Sequence, residues 1–469
     1  MTCIGVSGKI YPQFSVEKFF AIVCVKSYTF ALITLGDEEN LSYHLCQTLT
    51  EDSLGCLFFC PLMSNDRIIK DVNLLEGSLL KKEDLLIRDG VVAEIAPHIS
   101  APGASVTEGR GALVVPGLVD VHVHFREPGF PEKETIRTGS LAAARGGYTA
   151  VCAMPNLNPA PDSPETLALE QALIDRDAVV DVFPYASITR ERAGREVVDM
   201  AALKARCIAF SDDGSGIQEA AVMREAMTLA AREDCLVVAH CEDLSQPDPA
   251  RMEWMQIARD LELAAETRCR YHVCHISTRR SVELIREAKR RGVRVTCETA
   301  PHYLTLCEAD IQDEGRFKMN PPIHSADDRE ALIEGLRDGT VDVIATDHAP
   351  HTAEEKSRGF AHSLNGIVGL ETAFPVLYTK LVEPGRISLG RLIEAMSTAP
   401  RRIFRIGGGL GVGERADLTL IDLHESFTIQ SREFLSKGHA TPFEGWRVRG
   451  RVTKTFKNGK LIWEIPTIQ

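Results

Sequence analysis

Residues 119–129 read VDVHVHFREPG, a run in which valine alternates with Asp120, His122 and His124 before Arg126 and a Pro-Gly turn. Side chains at i, i+2 and i+4 of a strand point to the same side. The spacing therefore predicts a strand carrying Asp120, His122, His124 and Arg126 on one face. Such a set is costly to bury unless a further charge sits among them.

Outward from this stretch, short β-branched runs recur and each ends in polar residues. They are LVDVHVHF (118–125), YTAVCAMPN (148–156), VVDVFPYAS (179–187), CIAFSDD (207–213), LVVAHCED (236–243), YHVCHIS (271–277), RVTCETAPHY (294–303) and VDVIATDH (341–348). Between them lie segments with helical period, such as ETIRTGSLAAARGG, PETLALEQALIDRD, QEAAVMREAMTLAARE, SVELIREAKRRG and DDREALIEGLRDG, several closed by a C-terminal glycine. Strand–helix alternation implies parallel strands. Eight unbroken repetitions fit a closed (β/α)8 barrel over 117–403 better than an open doubly wound sheet, and no GxGxxG or GxxxxGK[ST] follows any strand. On either side, 66–116 and 404–465 read as short strands with Asp-Gly and Asn-Gly turn signals. The expectation is an α/β chain: a TIM-type barrel with a small flanking β-sandwich built from both ends. Residues 1–65 are cysteine-rich, weakly β in pattern and fit neither part.

Bulk composition narrows the class. The chain has 469 residues, 44% hydrophobic and 25% charged, with a net charge of −13, as expected of a globular protein that binds neither nucleic acid nor anionic membrane. Thirteen cysteines scattered through apolar runs read as free thiols of a reducing, cytoplasmic compartment. The apolar stretch 19–35 (FFAIVCVKSYTFALITL) is too short and too interrupted for a membrane span, and it lacks the flanks of a signal peptide.

Barrel enzymes build their sites at the C-terminal ends of the strands. Strand one offers His122, His124 and Arg126, strand two Asn156, strand four Asp212 and Asp213. Strand five offers His240, strand six His275, and strand eight Asp347 with His348 and His351. A lone strand-end histidine is usually structural, and His272, out of register with His275, is read so; a DDG tripeptide alone is more often a turn. The coincidence of four histidines and two carboxylates is what outweighs those readings. Neutral imidazole and carboxylate suit Zn²⁺, and six ligands exceed one tetrahedral ion, so a two-metal site with a bridging carboxylate is expected. Arg126 offers a fork for a carboxylate, and Asn156, Asn320 and His351 offer donors. A small anionic amide fits, with Asp347 accepting the proton of the attacking hydroxide and delivering it to the leaving nitrogen.

Taken together, GLVDVHVHFREPGFPEKETIRTGSLAAARGGYTAVCAMPN, SDDGSGIQ, VAHCED, YHVCHIST, KMNPP, IATDHAPH and GIVGLETAFPVL resemble the class I dihydroorotases of the amidohydrolase superfamily, over about residues 66–465. The resemblance implies reversible cyclisation of N-carbamoyl-L-aspartate to (S)-dihydroorotate in pyrimidine biosynthesis. It implies two Zn²⁺ ions: one held by His122 and His124, the other by His240 and His275, both bridged by Asp213 and hydroxide. Asp347 takes the role of metal ligand and general acid/base. Arg126, Asn156, Asn320 and His351 match the substrate-binding set, and the loop through Asn365 and Gly366 presents backbone groups to the ring. A homo-oligomer, and in some members an aspartate transcarbamoylase partner, are further implications.

Three features depart from the family pattern. Asn365 replaces an aromatic before the binding-loop glycine, the segment 243–256 is short, and residues 1–65 have no counterpart, which reads as an extension or a wrongly translated upstream stretch. Two alternatives compete. Another cyclic amidohydrolase, of dihydropyrimidinase or allantoinase type, is disfavoured because strand four ends without the lysine those enzymes carboxylate. An inactive scaffold for aspartate transcarbamoylase is disfavoured because no ligand is missing.

Overall fold

The computed structural model describes residues 66–466 and, upstream, the backbone of three strands, Phe20–Val25, Thr29–Thr34 and Tyr43–His44. Those three pair antiparallel in chain order within a unit, Met1–Met63, distinct from Ser64–Gln469. The 19–35 stretch thus contributes two strands, while the remaining expectations for residues 1–65 lie outside the described residues. Among the described residues no helix is long and apolar enough to cross a membrane.

The larger unit is α/β. Leu118–Val123, Tyr148–Ala153 and Asp181–Pro184 pair in parallel, as do Leu236–Ala239, Arg270–Val273, Val295–Thr299 and Val343–Ile344. Parallel bridges Ala186–Phe210 and Phe210–Val237 join the two sets, and Val123–His348 returns the last segment to the first. The fourth segment, CIAFSDD, is reduced to those bridges at Phe210. Helices Ile136–Arg145, Pro164–Asp177, Ala220–Arg232, Arg279–Arg290 and Ala326–Asp338 occupy the connections. Their starts are written locally: Thr135, Ser163, Thr278 and Ser325 each cap the backbone N–H three residues on, satisfying donors the helix leaves unpaired.

Residues from both ends of this unit share one mixed sheet. Its spatial order is Lys460–Glu464, Arg447–Lys457, Leu418–Thr428, Leu113–Pro116, Arg67–Glu76, Leu79–Arg88 and Val91–Ala96, with Ser105–Glu108 paired to Arg67–Glu76. The hairpin turns follow their dipeptides. Asp89-Gly90 (φ 50° and 78°) and Asn458-Gly459 (φ 50° and 71°) are both left-handed at both positions, the backbone that matches strand twist in two-residue hairpins. All eight cysteines of the described residues are free thiols.

The short segment 243–256 is given no secondary structure by the sequence reading. Part of 243–256 is the start of a 19-residue helix, Pro249–Thr267, with Asp248 capping Ala250 N and proline at its first position. Aspartate at the cap followed by proline is a strong start signal.

Candidate metal centre

Leu118–Val123 is buried throughout, with Leu118 and Val123 in one apolar cluster and Val119 and Val121 in another. Its pairing with Tyr148–Ala153 contains register shifts, and the strand ends at Val123, short of His124 and Arg126. Simple alternation therefore does not deliver Arg126, whose backbone turns left-handed at φ 63°. Asp120 faces neither solvent nor the cavity. It accepts His122 N at 3.0 Å and Thr346 N at 3.0 Å, tying the first strand to the segment that carries Asp347. Burial pushes its carboxyl up to about 7, against those hydrogen bonds.

Above this tie the predicted ligands converge. His122 Nε2 lies 3.3 Å from Asp213 Oδ1 and 3.5 Å from Asp347 Oδ1; His124 Nε2 lies 3.1 Å from Asp347 Oδ1 and 3.6 Å from Asp213 Oδ2. His275 Nε2 stands 3.6 Å from Asp213 Oδ1. His240 Nδ1 is 3.0 Å from His275 Nε2 and 3.9 Å from Asp213 Oδ1. Asp213 is thus central, within 4 Å of all four imidazoles. Its neighbour Asp212 turns away and accepts Ile188 N and Thr189 N at 2.8 and 3.1 Å.

Among the described residues three buried groups, all sharing His122, could each hold a cation: with His124 and Asp347, with Asp213 and His275, and with Cys274 and Glu298; His240 belongs to none of them. The donor set fits. His122 Nε2 and Asp213 Oδ1 are buried and have no hydrogen-bond partner, a costly state for groups facing one another. Burial opposes charge on both, yet their mutual attraction prevails. His122 holds its proton well above the usual imidazole range, and Asp213 stays well below the usual carboxylate range. Asp347 is held anionic against burial by His122, then His124. Such a pocket demands positive charge, and a divalent ion supplies it without protonating the ligands.

Carboxylates behind the ligands were missed by the sequence reading. Buried Glu298, at the end of the seventh segment, accepts His122 Nδ1 at 2.6 Å and His272 Nε2 at 3.2 Å. With a cation in place of the second ring proton, this bond would keep the remaining proton on Nδ1 and leave the Nε2 lone pair to the ion. Burial opposes its charge, but His122 and His272 hold its carboxyl at about 2. Glu242 Oε2 approaches His240 Nε2 at 3.4 Å, and its Oε1 accepts Asn320 Nδ2 at 3.2 Å. From the helix Pro249–Thr267, buried Glu253 accepts Ser277 N and Thr278 N at 3.1 and 3.2 Å, setting the turn after His275. The available signal was position: Glu298 and Glu242 stand at strand ends like the ligands themselves.

The cavity, about 200 Å³, is lined by His124, Asp213, His240, His275 and Asp347 together with Arg126, Asn156, Asn320, His351, Asn365 and Gly366. Asn156 Nδ2 donates to Asp213 O at 2.7 Å, while its Oδ1 is buried without a partner. Arg126 Nε donates to Pro350 O at 3.2 Å, leaving the fork beside His351. His351 Nε2 donates to Asn365 O at 2.7 Å. Burial, then the Arg126 charge, lowers the imidazole to about 4, so it is neutral at pH 7. Gly366 has φ 132°, and a Cβ there would lie 2.6 Å from Ala349 O. Only glycine lets this loop sit so close.

Comparison with known proteins identifies the family. A sequence model described as Dihydro-orotase-like matches residues 111–250. Proteins named dihydroorotase from Bacillus cytotoxicus and Bacillus cereus are each 47% identical over 424 residues, 86% of this chain and 98% of theirs. One from Halalkalibacterium halodurans is 48% identical over 410 residues, 83% and 96% of the two chains. Among solved structures, an L-hydantoinase (dihydropyrimidinase) from Arthrobacter aurescens matches with TM-score 0.78 and 27% identity, over 86% of this chain and 97% of that one. A dihydropyrimidinase from Brevibacillus agri matches with TM-score 0.74 and 22% identity, over 84% and 94%. The chain belongs to the dihydroorotase family.

Proposed function

We propose that this chain is a metal-dependent (β/α)8 barrel enzyme that interconverts N-carbamoyl-L-aspartate and (S)-dihydroorotate plus water. The barrel spans 117–403, and a flanking β-sandwich is assembled from 66–116 and 404–465. The parallel pairings that return from His348 to Val123 support the barrel, and the sheet shared by both ends supports the sandwich. The observation that carries the reaction is the packing of four imidazoles within 4 Å of Asp213, next to a small cavity that Asp347 and the Arg126 fork also line. His122, His124, His240, His275, Asp213 and Asp347 would hold Zn²⁺, a donor set large enough for two ions. Bound there, zinc supplies Lewis acidity toward the amide carbonyl and makes water acidic enough to act as nucleophile.

The protein's own groups do the rest. Arg126 and Asn156 hold the carboxylate that does not react, a bidentate fork plus an amide. Neutral His351 and the backbone at Asn365 and Gly366 orient the ring. In hydrolysis Asp347, anionic at neutral pH, accepts a proton from the attacking water and hands it to the ring nitrogen as the C–N bond breaks. In cyclisation the same carboxylate runs the transfer backward.

The structural likeness to hydantoinases keeps one second reading in view, a cyclic amidase for uncharged rings. The Arg126 guanidinium lining the cavity favours the anionic substrate. The test assays purified protein of measured metal content with both substrates, and with hydantoin and dihydrouracil. Interconversion of the dihydroorotate pair is expected; turnover of neutral rings alone would overturn the reading.

A further inference from the structure

Beside the metal cavity lies a second recess of about 320 Å³, lined among others by Arg126, Lys133, Asn156, Glu191 and Arg192. It shares Arg126 and Asn156 with the metal cavity. Three cations thus face one carboxylate, and that one, Glu191, is exposed. Lys133 is already paired with Glu355 at 2.8 Å. Arg192 is not paired: among the described residues it makes no ion pair within 4 Å, its Nη1 donates only a long 3.4 Å bond to Pro155 O, and its Nε is buried with no partner.

The backbone that presents Arg192 is strained and firmly held. Glu191 and Arg192 are consecutive left-handed residues, both at φ 54°, a conformation L-residues avoid. Asp212 clamps the turn through Ile188 N, Thr189 N and the Thr189 hydroxyl, and Thr189 Oγ1 in turn accepts Gly194 N at 2.8 Å. Glu191 N donates to Asp162 Oδ2 at 2.8 Å. Strain kept in place by so many bonds is characteristic of functional segments.

We propose that Arg192 is a specificity-determining residue that, with Arg126, captures the non-reacting carboxylate of the substrate in this recess. The inference rests on the anionic-substrate reading above and extends it to a residue outside the metal cavity. A carboxylate between the two guanidiniums answers three observations at once: the partnerless Nε, the excess of cations and the pinned turn. Arg192 also adds to the burial that lowers the proton affinity of Arg126, a repulsion a bound anion would relieve. Its aspartate clamp adjoins Asp213, so one dipeptide orders both the metal ligands and the carboxylate reader.

The test uses the metal-loaded full chain as wild type, Arg192→Met and Arg192→Lys. Steady-state kinetics with dihydroorotate are read beside calorimetric binding of succinate, an unreactive dicarboxylate. Loss of a charged hydrogen-bonding partner should raise KM about ten- to a hundredfold in Arg192→Met. Here kcat should stay within about twofold, succinate should weaken in step, and Arg192→Lys should fall between. Unchanged KM and succinate affinity in Arg192→Met would overturn the proposal, as would a fall in kcat and melting temperature with no change in KM. If wild type binds succinate in an Arg192-dependent way yet does not turn over dihydroorotate, the reaction reading fails and the anion site stands. Absence of succinate binding to wild type overturns the site.

Discussion

Replacing Glu298 by glutamine tests whether the charge behind His122 tunes the metal centre. The carboxylate accepts His122 Nδ1 at 2.6 Å, His272 Nε2 at 3.2 Å and His275 N at 3.4 Å, all fully buried. Glutamine has the same shape. Its carbonyl can keep the His122 bond, and its amide can face His272 if that ring shifts its proton to Nδ1, where Thr296 Oγ1 stands ready at 2.7 Å. The hydrogen bonds survive and only the negative charge is lost. Partners of this kind are worth about ten- to a hundredfold in metal affinity, or about 1.4–2.7 kcal/mol. Alanine would instead strand three donors at about 1–3 kcal/mol each and threaten the fold. Competition with a zinc chelator measures the effect. Glutamine variant protein with an unchanged melting temperature and zinc affinity within twofold of wild type would refute the argument.

Asp347→Asn should abolish turnover in both directions, because the amide cannot carry the proton; near-normal activity in a coupled assay would remove Asp347 from that role. Arg126→Lys should raise KM severely, since an ammonium cannot reproduce the bidentate fork, as initial-rate measurements will show. His351 has a folded value near 4 against about 6.5 unfolded. Its contribution to stability is therefore complete above pH 6.5 and is lost as pH falls toward 4, by up to about 3 kcal/mol. Urea unfolding of wild type should lose that much more than His351→Gln over this window, and parallel curves would count against it. Gly366→Ala, with its Cβ 2.6 Å from Ala349 O, should displace the binding loop and cost about 1–3 kcal/mol; calorimetry showing wild-type stability and affinity would contradict the close approach.

The convergence of the candidate ligands was legible because several rare residues stood at equivalent positions. One strand-end histidine means little, but HVH, AHC, CHI and TDH repeat the position often enough to imply convergence. Their supporters were hidden by the same logic. Glu298 is one acid in an apolar run, Glu242 one acid in a polar one, and Glu253 lies on the helix Pro249–Thr267, to which the sequence reading gave no role. Each matters only through a partner distant in sequence: His122 is 176 residues from Glu298. The two aspartates of SDDG were equally good candidates by composition. What separates them is a set of bonds to Ile188 and Thr189 that holds Asp212 in a neighbouring loop and leaves Asp213 facing the imidazoles.

The least legible feature is backbone conformation. Arg126, His275 and Asp347 have φ of 63°, 29° and 49°, left-handed values that no rule for strands or turns assigns to these residue types. Period-2 alternation places Arg126 on the same face as His122, but it reaches the cavity only because the chain leaves the strand after Val123 and reverses its local hand. Strain of this kind persists where surrounding contacts over-determine it. Here those contacts are visible: the Asp120 tie to Thr346 beneath Asp347, and Glu253 under the turn after His275. Local sequence rules thus fail at three residues that line the cavity, and they fail because the fold holds those residues in positions their own preferences oppose.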